Sequence, residues 1–191
     1  LPILVGDDYN GSFTVSEIPA IRLEIPSFAR SAGQNVNVPA ESNAGIPLVL
    51  ESDGTVRSLY TVFSYDSNLL NVQDIVPSSE LPDFVTFTTE VLEPGRIAIM
   101  FDASGSFPGS EGAPAGRLVI ATVQSEVSAT AANGSSAILS LESVVSNDTL
   151  SVGGGSAVQL VASLGDTTGD GSYSVADSTL AARLAMRLDS G

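Results

Sequence analysis

Val56-Arg-Ser-Leu-Tyr-Thr-Val-Phe-Ser-Tyr65 is the stretch on which the reading of the fold turns. Its side chains alternate with a period of two. Leu59, Thr61, Phe63 and Tyr65 share one side of an extended chain, and Ser58, Tyr60, Val62 and Ser64 share the other. A helix would scatter both sets around its axis, so the segment is expected to be a strand with one face on a core and one mixed face. Leu59 and Phe63 are expected inside and Tyr60 outside, because successive strand residues point in opposite directions.

The same alternation opens the domain at Ile21, Leu23 and Ile25, set against Arg22 and Glu24. It recurs at residues 35–39, 46–51, 71–75, 84–90, 96–102, 117–125, 137–144 and 157–161, each bounded by Gly, Pro, Asn, Asp or Ser. Nine or so short strands with turns at that spacing predict an all-β sandwich over residues 21–163. Residues 1–20 read as a linker or an added strand. Residues 104–116, rich in Gly, Ser and Pro, read as a long loop. Gly153-Gly154-Gly155 is expected to permit a bulge or tight turn beside the last strand.

Composition narrows the chemistry. The chain has no His and no Cys, which excludes disulfides, imidazole or thiolate metal sites, and nucleophilic triads built on either residue. Carboxylate-pair catalysis would have to work without a His helper, and no Trp is present as a sugar platform, so a non-enzyme is expected. Acidic residues number 22 against 7 basic ones, for a net charge of −15. Such a surface repels nucleic acid and anionic membranes and suits divalent cations, basic partners or a saline medium. No apolar run approaches the ~18 residues of a membrane span. The chain starts at Leu1 without a basic and apolar leader and so reads as a mature or excised fragment.

Near the C-terminus, Asp166-Thr-Thr-Gly-Asp170-Gly171-Ser172-Tyr-Ser174-Val-Ala-Asp177 has the spacing of a twelve-residue calcium loop. Ca²⁺ takes six or more hard oxygens, and the glycine at the sixth position makes the sharp turn between ligands. Asp166 and Asp170 would supply side-chain oxygens, Thr168 a hydroxyl, Ser172 its carbonyl, Ser174 a water-mediated contact and Asp177 the closing carboxylate. Leu180, Leu184 and Leu188 then recur at helical spacing, with Arg183 and Arg187 on another face. The plainer alternative is a Gly/Asp turn ahead of a terminal helix. A fainter imitation lies at Asp8, Asn10, Gly11, Thr14 and Glu17; it reads as a simple turn or as a degenerate ion site, since its first position is Gly6 and Pro19 blocks a following helix.

Residues 164–191, through Gly165-Asp-Thr-Thr-Gly-Asp-Gly-Ser-Tyr-Ser-Val-Ala-Asp-Ser-Thr-Leu-Ala-Ala-Arg-Leu, resemble one of the two calcium repeats of a dockerin, with Thr168 where Asn or Asp is usual. Residues 21–163 resemble a cohesin, the module that partners dockerins. The likeness rests on Asn35-Val-Asn-Val-Pro39, on Val56 to Leu70 with Ser67 in place of the family's proline, on Pro94-Gly-Arg-Ile-Ala-Ile-Met-Phe101, on Gly116-Arg-Leu-Val-Ile-Ala-Thr-Val123 and on Gly134-Ser-Ser-Ala-Ile-Leu-Ser-Leu141, which come in the family's order. The resemblance implies a nine-stranded antiparallel jelly-roll sandwich in an extracellular or cell-surface protein linked to polysaccharide breakdown. It implies a dockerin-bearing partner gripped on an outer sheet face through Ser58 and Tyr60, with Ala98 and Met100 on the neighbouring strand. Three readings stay open beside it: those four are ordinary solvent-facing residues; the chain is a carbohydrate-binding module using Tyr9, Tyr60, Tyr65 or Tyr173; or it is a spacer or adhesin domain.

Overall fold

The computed structural model describes residues 21–39, 44–81, 84–103, 113–146, 150–151, 153–163, 165–170 and 172–186. The readings of residues 1–20, of the 104–112 part of the long loop, and of Gly171, Arg187 and Leu188 lie outside the described residues.

Two sheets face each other across one core. The first has strands in the order β11 (Gly153–Gly154), β1 (Arg22–Glu24), β3 (Ile46–Ser52), β8 (Gly116–Val127) and β5 (Leu70–Pro77). The second runs β2 (Phe28–Arg30), β12 (Ser156–Val161), β9 (Ser136–Ser146), β4 (Ser58–Ser64), β7 (Arg96–Asp102) and β6 (Thr86–Glu93), with β10 (Leu150–Ser151) also paired to β9. A single helix, α1 (Val175–Ala185), follows β12 among the described residues. The expected class, an all-β sandwich with a C-terminal helix, is the observed one.

The core is the sum of the inward positions of the alternating strands. Leu59 and Phe63 of β4, Ile97, Ile99 and Phe101 of β7, and Leu139 and Leu141 of β9 meet Leu23 of β1, Leu48 and Leu50 of β3, and Ile120 and Val123 of β8. Burial of a Leu or Phe side chain contributes about 1.5–3 kcal/mol each, so this layer supplies most of the drive for the two sheets to close. Gly154 marks the tightest approach. A Cβ there would overlap the carbonyl oxygen of Leu141, so only glycine lets β11 run beside β1 at the mouth of the core.

Several expected boundaries move. Residues 35–39 form no strand: Asn35 makes an isolated bridge to Glu126, Val36 donates to the Ser125 carbonyl and Val38 to the Gly45 carbonyl, so this segment follows β8 without sharing a ladder. The 56–65 strand starts at Ser58, because the carbonyls of Val56 and Arg57 are taken by Ala113 and Ala103. Phe28–Arg30 was not foreseen as a strand. It pairs parallel with β12, as β11 does with β1, so the sandwich is not wholly antiparallel. The twelve described strand segments exceed nine because the additional ones are two or three residues long.

Candidate functional site

β4 lies in the middle of its sheet, between β9 and β7, so its outward residues form the centre of a flat wall. Tyr60 stands directly opposite Met100 on β7, and Met100 opposite Thr88 on β6. Tyr60 is 37 % exposed and Met100 44 %, whereas Leu59 and Phe63 are buried beneath them. Ser58 is half-buried at the end of the same row, opposite Asp102. Three of the four residues implied as partner contacts therefore present surface on one face. Ala98 departs from that expectation. It lies on the same outer row, opposite Val62 and Glu90, but is only 3 % exposed, because its single methyl is shorter than the side chains around it.

An ion pair crosses this wall. Arg96 on β7 reaches over β4 to Glu142 on β9 at 3.1 Å and also holds Glu93 at 3.0 Å. The hydrogen bond that Arg96 donates to Glu93, followed by the charge of Glu142, raises the guanidinium's already high pKa. With Glu90 and Asp102 also outward, four carboxylates, Glu93 and Glu142 among them, share the face with one arginine, so it favours a basic counterpart.

The sequence reading missed a second apolar strip on the same wall. Ile138 of β9 is directly opposite Val158 of β12, with Leu160 two residues further along β12, and all three are exposed. The alternation in 157–161 was ambiguous because both registers carry apolar residues. The polar residue goes inside: Gln159 is fully buried, its Nε2 donates to the Leu69 carbonyl at 3.0 Å while its Oε1 has no hydrogen-bond partner among the described residues, and Val158 and Leu160 lie outward.

At the C-terminal loop, Asp177 is the organising group. Its Oδ1 accepts from the Thr168 backbone N–H and hydroxyl, both at 2.9 Å, and its Oδ2 accepts from the Ser174 N–H and hydroxyl, both at 2.7 Å. Ser174 is the N-cap of α1 and completes a reciprocal capping box with Asp177. The Ser174 hydroxyl, then the Thr168 N–H, hold this carboxyl well below the usual range, against the opposing effect of burial. Asp166 accepts from the Gly169 N–H at 2.8 Å and Asp170 from the Ser172 N–H at 2.8 Å, which folds the two turns of the loop. All the donors are hard oxygens, as calcium requires. Among the described residues, however, no three acidic side chains converge into a ready-made metal cluster, since Asp177 is turned to the backbone and to Ser174.

Among the described residues, the tyrosines do not assemble into a platform. Tyr65 is part-buried and stacks on Phe63 with ring centroids 5.3 Å apart, on the core side of its strand, while Tyr173 is exposed on the loop. Tyr9 is outside the described residues. On the opposite sheet a groove of about 620 Å³ is walled by Ile25, Pro26, Val38 and Pro47. Its arginines are taken up by neighbouring acids: Arg22 pairs with Glu24 and lies 3.9 Å from Glu51, and Arg117 lies 3.7 Å from Glu24. No helix among the described residues is long and apolar enough to cross a membrane.

Solved structures share this architecture. The sixth cohesin of scaffoldin B from Acetivibrio cellulolyticus, determined in complex with a Cel5 dockerin mutant, superposes with a TM-score of 0.59 at 18% identity, covering 74% of this chain and 99% of that one. A non-cellulosomal cohesin from the hyperthermophilic archaeon Archaeoglobus fulgidus gives 0.55 at 21% identity, covering 75% and 93%. At such identities these likenesses establish the fold. No curated protein matches the chain. Residues 21–161 match the model of the cohesin domain, and on that match the chain belongs to the cohesin family of non-catalytic protein-interaction modules.

Proposed function

We propose that the outer face of β4 and β7 docks a dockerin-bearing protein in an extracellular or cell-surface assembly. The observation that carries this reading is the pair Tyr60 and Met100: in register, exposed and central on the sheet, an aromatic ring beside a thioether. Aromatic side chains, with an apolar body and few torsions to freeze, and Met, whose flexible thioether adapts to a partner surface, are enriched at such contacts. The A. cellulolyticus cohesin solved with a dockerin supports the choice of partner. Polysaccharide breakdown is assigned to the parent assembly rather than to this face, which lacks a row of stacked rings. The test is capture by immobilised dockerins from the same genome. Tyr60→Ala and Met100→Ala are each expected to weaken capture by roughly thirtyfold, the effect of losing about 2 kcal/mol at an anchor. Undiminished capture by both variants would overturn the face; capture of wild type by no dockerin would overturn the partner and favour a spacer role.

The C-terminal loop is proposed as a Ca²⁺ site held by Asp166, Thr168, Asp170, the Ser172 carbonyl, Ser174 through water, and Asp177. The hard-oxygen donors and the turned carboxylates of Asp166 and Asp170 support it. Because Asp177 already accepts four hydrogen bonds of 2.9 Å or less, cation binding must compete with them, and the affinity is expected in the weak range of about 10⁻⁴–10⁻³ M. Calorimetric titration of wild type against Asp170→Ala checks it: equal heats, or none from wild type, reduce the loop to a turn.

A further inference from the structure

Turns from distant parts of the chain meet at one end of the sandwich. β2 and β12 run parallel and finish level, Arg30 beside Val161, so the chain leaves both strands on the same side. Ser31 follows β2, and its hydroxyl donates to the Ser163 hydroxyl at 3.1 Å, just past the end of β12. Gln34 folds back on Ser31, its Oε1 accepting from the Ser31 N–H at 2.9 Å. The turn between β8 and β9 is tied in through Gly134, whose N–H donates to the Val161 carbonyl at 2.8 Å, and this brings Asn133 to the same place. A last turn, closed by the Asp166 N–H on the Ser163 carbonyl at 3.0 Å, sets Gly165 against the Tyr173 ring. A Cβ at Gly165 would lie 3.3 Å from Cε1 of that ring, and its φ is +98°, so glycine is what keeps this approach open.

Between these turns lies a cavity of about 420 Å³, lined by Ser31, Gln34, Asn133, Val161, Ser163 and Tyr173. That volume is within the range of small-molecule sites, roughly 300–1,000 Å³. Among the described residues its lining holds no charged side chain, so it offers no counter-ion to a phosphate, a carboxylate or an ammonium group. A net charge of −15 further disfavours anions. The Ser31 and Ser163 hydroxyls and the Asn133 amide combine donor and acceptor roles, and Gln34 keeps its Nε2 as a donor. Beside them the Tyr173 ring is 67 % exposed. A sugar matches both features, because its hydroxyls also donate and accept while its C–H face is apolar and covers an aromatic ring.

We propose that this cavity binds a neutral saccharide, one sugar ring resting on Tyr173 while its hydroxyls exchange hydrogen bonds with Ser31, Gln34, Asn133 and Ser163. The site takes a single sugar unit, so it needs no row of stacked rings. It uses none of the residues of the β4–β7 face and does not rest on the partner proposed there. With one ring and a few neutral hydrogen bonds the complex is weak, about millimolar at the gain per atom usual for small ligands.

Proton–nitrogen correlation NMR of the whole chain in calcium-containing buffer tests the site, with cellobiose, xylobiose and maltose as probes and glucuronate as the charged control. At least one neutral disaccharide is expected to give saturable shifts confined to the side-chain amides of Gln34 and Asn133 and to the backbone amides around Ser31, Ser163 and Tyr173. Tyr173→Ala and Asn133→Ala are each expected to weaken binding by about tenfold, whereas Tyr173→Phe keeps the ring and should bind as wild type does. Asn133 lies on a different turn from Tyr173, so its variant keeps the test independent of any change in the C-terminal loop. No saturable shift from any of the three disaccharides at tens of millimolar would overturn the proposal. So would shifts scattered over the surface, equal binding of glucuronate, or Tyr173→Ala binding as wild type does. The measurement contains no dockerin, so its outcome is separate from that of the capture experiment.

Discussion

At Leu59 and Tyr60 consecutive side chains leave β4 on opposite sides, and their environments set different costs for removing them. Leu59 is buried against the facing sheet, so Leu59→Ala is expected to lower the unfolding free energy by about 2–5 kcal/mol, from lost transfer and a residual cavity. Tyr60→Ala removes a side chain on the outer face that is still partly covered by its cross-strand neighbours and is expected to cost only about 1 kcal/mol. Paired denaturant titrations check both; a large loss at Tyr60 would mean that the outer face is held by its own packing. The period of two made this division legible from the residue letters. Ala98 was not legible in the same way. Parity placed it on the outer row, but exposure depends on the lengths of Val62, Glu90 and Arg96 around it, and those neighbours come from other strands or from positions two residues away.

At the scale of elements, α1 is held at its start by Asp177 rather than along its length by packing. That carboxyl has a folded pKa below its unfolded value of roughly 3.9. Its contribution is therefore complete above about pH 4 and is lost as the pH falls through that value toward the lower folded one. The amide signals of Val175–Ala185 are expected to persist from neutral pH down to that point and then to broaden while those of the sandwich remain. In Asp177→Asn this acid transition should disappear. The helix could be read from the leucine spacing, whereas the capping pair Ser174 and Asp177 was read from the sequence as calcium ligands. The short strand Phe28–Arg30 could not, because three residues carry no period and its partner, β12, lies more than a hundred positions later.

For the whole molecule, a net charge of −15 surrounds a proposed docking face that is itself acidic. Encounter with a basic partner surface is then accelerated by long-range attraction, which salt screens as the Debye length shrinks from about 10 Å at 0.1 M to about 3 Å at 1 M. Capture of a dockerin is expected to slow in its association phase as ionic strength rises, with a much smaller change in dissociation. Surface plasmon resonance at graded salt checks this, and a salt-independent association rate would assign recognition to the apolar anchors alone.

Strand alternation and turn residues were sufficient to read an all-β domain and to put Leu59 inside and Tyr60 outside, because these follow from local geometry. Residues 157–161 mark where local information ends. Ala157, Val158, Leu160 and Val161 would satisfy a core in either register. The choice was made by the pairing of β12 with β2 and β9, which puts Ala157, Gln159 and Val161 inside and leaves Val158 and Leu160 to solvent; the Gln159 amide nitrogen then meets the Leu69 carbonyl. The tertiary structure alone shows it, since an outer surface is defined by what the rest of the chain leaves uncovered.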